Sequence, residues 1–338
     1  MEKDTKQPMK DETAQDKALE LMTKRLGHPH IQEVIQEVEA LETLGPNHIL
    51  MVTGPTGVGK TTLAHILRNR LLKRYEPLMQ HDPGAIPVLL IEARATSEAE
   101  FNWKLFYQDI LEQLERTNDT LRAVDYGVDP KTNRVYRPIG RSRNTAAGLR
   151  KKVEEALRAR NVKALMIDEG GHLTNVSEIR MKRQTDTLKS LSNCAGCQII
   201  LFGSYDILGI SRLSAQLARR IKEIHFPRYR IDCADDRIAF ERFLYELEKQ
   251  SDDYFEGLLT ENAELLHRNT LGCIGTLMDV IRNLMSRAMQ AGAASQELLN
   301  NSLLTNGQHA AILSEIHAGE ARFEGQEFTV SAMKKRVA

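Results

Sequence analysis

The sequence predicts an α/β fold, a three-layer parallel sheet with helices on both faces, followed by a smaller helical domain. Three observations carry that prediction. Between residues 48 and 204, nearly continuous apolar runs alternate with helix-period stretches, as in a sheet buried on both sides. The first run, His48-Ile49-Leu50-Met51-Val52-Thr53, leads through Gly54-Pro55-Thr56-Gly57-Val58-Gly59-Lys60-Thr61-Thr62 into the helical pattern Leu63-Ala64-His65-Ile66-Leu67. From about Ile231 the strand signals stop and only helical periods remain.

The stretch Gly54 to Thr62 fits the phosphate-binding pattern G-x-x-x-x-G-K-[ST] in its required context, after a strand and before a helix. Glycines let a loop wrap a phosphate, so that backbone N–H groups and the positive end of the next helix converge on the anion. Gly54 and Gly59 are expected to shape the loop, with Pro55, Thr56, Gly57 and Val58 between them. Lys60 is expected to reach the β- and γ-phosphates, and Thr61, followed by Thr62, to offer its hydroxyl to Mg²⁺. The chemistry implied is binding of a nucleoside triphosphate.

In chain order, residues 1–20 are polar and of mixed charge and read as a tail. An amphipathic stretch from Ala18 turns at Gly27-His28-Pro29-His30, and a helix follows with Ile31, Val34, Ile35, Val38 and Leu41 on one face. After the loop a helix runs to about Tyr75, then a polar loop leads to the strand Ile86-Pro87-Val88-Leu89-Leu90-Ile91. The next helix carries Phe101, Leu105, Phe106, Ile110, Leu111 and Leu114, and an irregular segment of about residues 118–144 follows it. A helix to about Arg160 leads to Val162-Lys163-Ala164-Leu165-Met166-Ile167-Asp168-Glu169, and another, over about 177–192, to Gln198-Ile199-Ile200-Leu201-Phe202-Gly203-Ser204. The domain reading is a tail (1–20), an α/β nucleotide-binding domain (21–230), a helical lid (231–317) and a C-terminal tail (318–338).

Ligands of open parallel sheets bind at the carboxyl ends of the strands. Asp168 there suits a Mg²⁺-organising carboxylate, and Glu169 suits activation of the attacking water. The bland reading of the pair is a cap on the next helix. Ser204 suits a γ-phosphate sensor, or equally a helix N-cap. Arg219 and Arg220, in Gln216-Leu217-Ala218-Arg219-Arg220-Ile221, close a helix. A basic pair there can offset the helix dipole or reach the nucleotide of a neighbouring subunit as an arginine finger; the sequence does not separate the two residues.

At 338 residues, with 41% hydrophobic and 27% charged, the chain has the composition of a globular protein with a sizeable core. Lys+Arg and Asp+Glu are 46 each, so net charge argues for no partner and only local clusters can. The absence of a long apolar run and of a signal-peptide core predicts a cytoplasmic protein without a membrane partner. Four cysteines do not make a disulfide framework, and Cys194-x-x-Cys197 has no second pair to complete a zinc site.

Taken together, GPTGVGKTT, MIDEGGHL, LFGSYD, QLARRI and the helical end resemble the AAA+ ATPase module over about residues 25–290. Within it, the MIDE-x-x-HL form, the Gly-Ser ending the next strand and Gly272-Cys273-Ile274-Gly275-Thr276-Leu277 resemble the TniB/TnsC regulators of DNA transposition. The resemblance implies an ATP- and Mg²⁺-dependent homo-oligomer, ring or helical filament, on double-stranded DNA. It would bridge a TniQ-type target selector and a transposase, and ATP hydrolysis would dismantle it. One departure is that AAA+ lids often carry a sensor arginine near Gly275-Thr276, whereas here the first basic residue after that motif is Arg282. His172 matches a family position, but a packed histidine is the simpler reading.

The residues give DNA binding a separate footing. Lys131, Arg134, Arg137, Arg141, Arg143, Arg150, Lys151 and Lys152 are eight cations with no acid among them. Such a stripe suits phosphate contacts without base readout, and Lys104 could extend it. It reads equally as a solvated basic loop. The competing function classes are a generic AAA+ or STAND-like motor not acting on DNA, and a scaffold that holds ATP without turnover.

Overall fold

The computed structural model describes residues 27–42, 45–46, 48–95, 101–116, 127–128, 135–136, 145–174, 178–251 and 254–324. These fall into two compact units. One comprises Glu37–Val52 and Ala64–Ile224; the other comprises residues up to Gln36, Thr53–Leu63, and the chain from His225 onward.

The first unit is built on a five-stranded parallel sheet of β1 (Ile49–Thr53), β2 (Val88–Glu92), β5 (Ala164–Asp168), β6 (Gln198–Gly203) and β7 (Ile221–His225), in the order β2-β5-β6-β1-β7. Register is set by pairs such as Val88 with Ala164 and Ala164 with Gln198. Every residue of β1, β5 and β6 is buried, whereas β2 and β7 at the edges are only partly so. That is why the central strands read as unbroken apolar runs, and each buried aliphatic side chain contributes about 1.5–3 kcal/mol over its exposed state.

Helices cover the sheet. α2 (Lys60–Arg74) leaves the phosphate loop and buries Leu63, Leu67 and Leu71, spaced four apart. α4 (Trp103–Arg116) packs on α5 (Ala146–Ala159), which is capped by the Thr145 hydroxyl accepting from Gly148 N and buries Leu149, Val153 and Leu157. α6 (Glu178–Ala195) precedes β6. After β6, α7 (Gly209–Arg212) and α8 (Ala215–Arg220) lead into β7.

Four local features differ from the sequence reading. The polar loop after Tyr75 contains a short helix, α3 (Glu76–His81), because Pro77 lies in its first turn, where the missing N–H has no helical partner to lose. The irregular segment contains an antiparallel pair, β3 (Gly127–Val128) and β4 (Val135–Tyr136). The unbroken helical period that the sequence shows here is interrupted in the structure, which has two helices, α10 (Leu258–Glu261) and α11 (Ala263–Asn269). They part at Asn262, whose side-chain amide donates to Leu258 O at 2.9 Å. The last helix, α14 (Asn306–Glu324), runs through Ala318, where a tail was expected. Residues 1–20 and 325–338 of the expected tails lie outside the described residues.

The second unit is helical. α9 (Ala234–Gln250), α10, α11, α12 (Ile274–Ala291) and α13 (Gln296–Asn300) close on a core that includes Phe240, Leu244, Phe255, Leu277, Ile281 and Leu284. α1 (Pro29–Glu42) starts in this unit, with Pro29 and then buried Ile31 and Ile35. Just before it, His28 is 4% exposed, stacks on Phe226 and lies 2.9 Å from the Tyr229 hydroxyl through Nδ1.

Burial, reinforced by the neighbouring His30, lowers the His28 pKa from 6.5 to about 3. Between those values the unfolded chain takes up a proton that the folded chain refuses, so stability falls as pH drops below about 6.5. Burial shifts His225 and His267 in the same direction. Going from about pH 7.5 to about pH 5 is expected to remove on the order of 2 kcal/mol through His28 and to lower the thermal midpoint by several degrees. His28→Phe, which cannot be protonated, should flatten this dependence in a thermal melt series. An equally steep series would clear His28 of responsibility.

Candidate nucleotide-binding site

Within the second unit, the phosphate loop is held by its own backbone and by the residues after β7. Phe226 N donates to Thr53 O at 2.7 Å, and a Cβ on Gly54 would lie 2.3 Å from Phe226 O, so glycine is required there. Gly59 has φ +109°, a conformation that favours glycine, and a Cβ added to it would meet nothing within 4 Å. Pro55 and Val58 are buried and anchor the loop, while Thr56 and Thr61 are exposed and Gly57, Lys60 and Thr62 are half-buried.

Leu63 N donates to Gly59 O at 2.9 Å, closing the first turn of α2. Lys60 opens that helix, and its Nζ donates to Gly54 O at 3.0 Å and Pro55 O at 2.9 Å. Open space at Gly59, an ammonium on the loop and an exposed Thr61 hydroxyl at a helix start together suit a phosphate and its cation. The stretch Gly272 to Leu277 meets the same loop: Thr276 N donates to Gly57 O at 2.9 Å. Arg282 pairs instead with Asp279 on its own helix, at 2.8 Å.

The other site residues belong to the sheet unit. Asp168 ends β5 and is 8% exposed, and its Oδ1 accepts from Glu169 N at 2.9 Å. Glu169 is exposed and left-handed, with φ 55° and ψ 40°, which costs a non-glycine residue about 1–2 kcal/mol. It turns the chain into the 3-10 turn Gly170–Leu173 while leaving its own carboxylate in solvent. Strain of this kind gathers at functional sites. His172 is half-buried, and its N–H donates to Glu169 O at 3.1 Å.

Ser204 follows β6 at the head of the 3-10 turn Tyr205–Leu208, but its hydroxyl makes no capping hydrogen bond. Arg219 is exposed in the last turn of α8, whereas Arg220 is half-buried with Nη1 buried. The parallel order puts the carboxyl ends of β1, β5 and β6 along one edge of the sheet.

Of the basic residues, Lys104 is exposed on α4, and Lys151 is exposed on α5, 3.9 Å from Glu155. Arg150 is engaged by Glu154 and by the Ser190 hydroxyl, at 2.9 and 2.6 Å. Lys131, Arg134, Arg137, Arg141 and Arg143 lie outside the described residues. Cys197 is buried, which pushes its thiol pKa up to about 12. Among the described residues no helix is long and apolar enough to cross a membrane.

One contact had no signal in the sequence. Glu315 of α14 accepts from Thr56 N at 3.0 Å and from the Thr56 hydroxyl at 2.9 Å, across 259 positions of chain.

Residues 45–211 match the family model of the AAA domain, and with the loop and sheet described above the chain carries an AAA-type P-loop domain. Among solved structures, the ORC1 protein of Aeropyrum pernix, determined in complex with DNA, is similar over 83% of this chain and 67% of that one, at 15% identity and a TM-score of 0.53. The Walker-type ATPase PABY2304 of Pyrococcus abyssi is similar over 90% of this chain and 75% of that one, at 13% identity and a TM-score of 0.48. Domain III of the replication initiation protein DnaA of Thermotoga maritima covers 89% of this chain and 97% of its own, at 14% identity and a TM-score of 0.43. The likeness to ORC1 is one of fold. No curated protein matches the sequence.

Proposed function

We propose that the chain is an AAA+ ATPase that assembles as a homo-oligomer on double-stranded DNA and regulates transposition, linking a TniQ-type target selector to a transposase. The observation that carries the ATPase reading is Asp168-Glu169 ending a central strand of the same parallel sheet whose β1 feeds the phosphate loop. On this reading Gly54 to Thr62 hold the phosphates of ATP, and Thr61 and Asp168 hold Mg²⁺. The cation would supply charge neutralisation at the phosphates.

Glu169, solvent-facing and next to the metal-holding carboxylate, takes the proton of the attacking water. Ser204, with no capping bond to satisfy, orients that water or senses the γ-phosphate. Arg219 is the better finger of the two arginines, because its exposure lets it reach a neighbouring subunit while Arg220 is drawn into its own. Hydrolysis then dissolves the assembly.

DNA binding is supported by the basic stretch between Lys131 and Lys152 and by the resemblance to TniB/TnsC regulators. ORC1 in complex with DNA shows that the fold serves such a role in another protein. Reversing charge at Arg141 and Arg143 to Glu is expected to weaken duplex DNA binding by at least about tenfold and to flatten its salt dependence, measured by fluorescence anisotropy. Unchanged binding would remove the segment from the interface. A protein-directed motor is the second reading. It is favoured by Arg150 and Lys151, two of the eight cations, which stand near acids on their own helix.

A further inference from the structure

The last helix, α14, meets through its middle the loop that the sequence marks as the phosphate site. Ile316 and Gly319 of α14 are buried, and Ile312, Leu313, Glu315, Glu320 and Phe323 are half-buried, a helical stripe that fixes which face packs. Its carboxyl-terminal half is held by Arg228, whose Nε and Nη2 donate to Glu320 at 2.8 and 3.1 Å, both side chains being about 15% exposed. Phe323 stacks on His225 with ring centroids 4.4 Å apart. Its amino-terminal half is held by His309 Nε2, 3.1 Å from Arg268 O. Between these anchors, Glu315 places one carboxylate oxygen on both donors of Thr56.

Thr56 is the third residue of the phosphate loop, and on the proposed reading its N–H and hydroxyl are among the donors offered to the anion. A carboxylate on that N–H is chemically a stand-in for a phosphate oxygen: an anionic acceptor in a charge-assisted bond. Both groups cannot use the same donors, and two anions held side by side repel. Release of Thr56 takes away one of the contacts that hold α14, leaving the Arg228–Glu320 pair, the Phe323 stack and the His309 contact to hold it without Glu315.

We propose that Glu315 is a latch on the nucleotide site, an internal anion that a phosphate of the incoming nucleoside triphosphate must displace from Thr56. Occupancy of the loop and the Glu315–Thr56 contact therefore exclude one another, and nucleotide binding loosens α14. The proposal rests on the loop being a triphosphate site.

The test is titration of the full chain with a fluorescent N-methylanthraniloyl ATP, using wild type, Glu315→Gln, Glu315→Ala and Lys60→Ala, with hydrogen exchange over residues 306–324 as a second readout. Both Glu315 variants should bind about tenfold more tightly than wild type. Exchange in α14 should rise on adding ATP to wild type, and should already be raised without nucleotide in Glu315→Ala. Equal or weaker binding by both variants, with exchange in α14 unmoved by ATP, overturns the latch while leaving the nucleotide site intact, provided that wild type binds and Lys60→Ala is impaired. If folded wild type does not bind the probe at all, the nucleotide site fails and the latch fails with it. Glu315→Gln is isosteric and half-exposed, so folding is not in question for that variant.

Discussion

Glu169→Gln is expected to lower ATP turnover by about 10²–10⁴-fold while leaving ATP affinity within about threefold of wild type. The expectation comes from the division of labour at the end of β5. Asp168 is nearly buried and accepts the Glu169 backbone N–H, so its carboxylate is fixed in orientation and suited to holding a cation. Glu169 is held left-handed, and its side chain stands in solvent, where it can take a proton but adds little to the packing of the strand. The amide keeps the shape of the side chain and loses only its basicity. Turnover with duplex DNA present, beside a nucleotide titration, separates the two effects. On the proposed function the variant also stays assembled on DNA after wild type has dissociated. Undiminished turnover would show that water is activated elsewhere, and a wild type without turnover would favour the scaffold reading.

Lys60→Ala is expected to weaken ATP binding by about 10- to 100-fold, the loss of one or two charge-assisted bonds to phosphate. In this structure the ammonium rests on the carbonyls of Gly54 and Pro55, poised on the loop itself. The lysine is half-buried at the first position of α2, and alanine is at least as good a helix former, so the fold should tolerate the change. Isothermal titration with ATP and Mg²⁺ measures the loss, and unaltered affinity would mean that the loop does not read phosphate through this side chain.

The parts legible in the sequence were those fixed by local chemistry. β1, β5 and β6 announced themselves because both of their faces are covered, so no polar residue interrupts them. The loop was legible because its glycines answer backbone needs that no other residue meets, as at Gly54 against Phe226 O. Asp168-Glu169 stood out as charge ending an apolar run, but nothing local foretold that Glu169 would be left-handed, since that region usually calls for glycine. The break at Asn262 was hidden because the apolar spacing runs on through it, while a side-chain amide competes with the backbone. Glu315 was hidden for a different reason. A half-exposed glutamate within an unremarkable helical pattern has no signal of its own until the fold brings Thr56 to it.

The central claim is that nucleotide at Gly54 to Thr62 governs assembly on duplex DNA. Analytical ultracentrifugation of wild type and Lys60→Ala, each with a duplex and a non-hydrolysable ATP analogue, tests it most directly. The account predicts a fast-sedimenting protein–DNA assembly for wild type with nucleotide, none without it, and none for Lys60→Ala under either condition. A Lys60→Ala protein that assembles on DNA as wild type does, or a wild type indifferent to nucleotide, would contradict it.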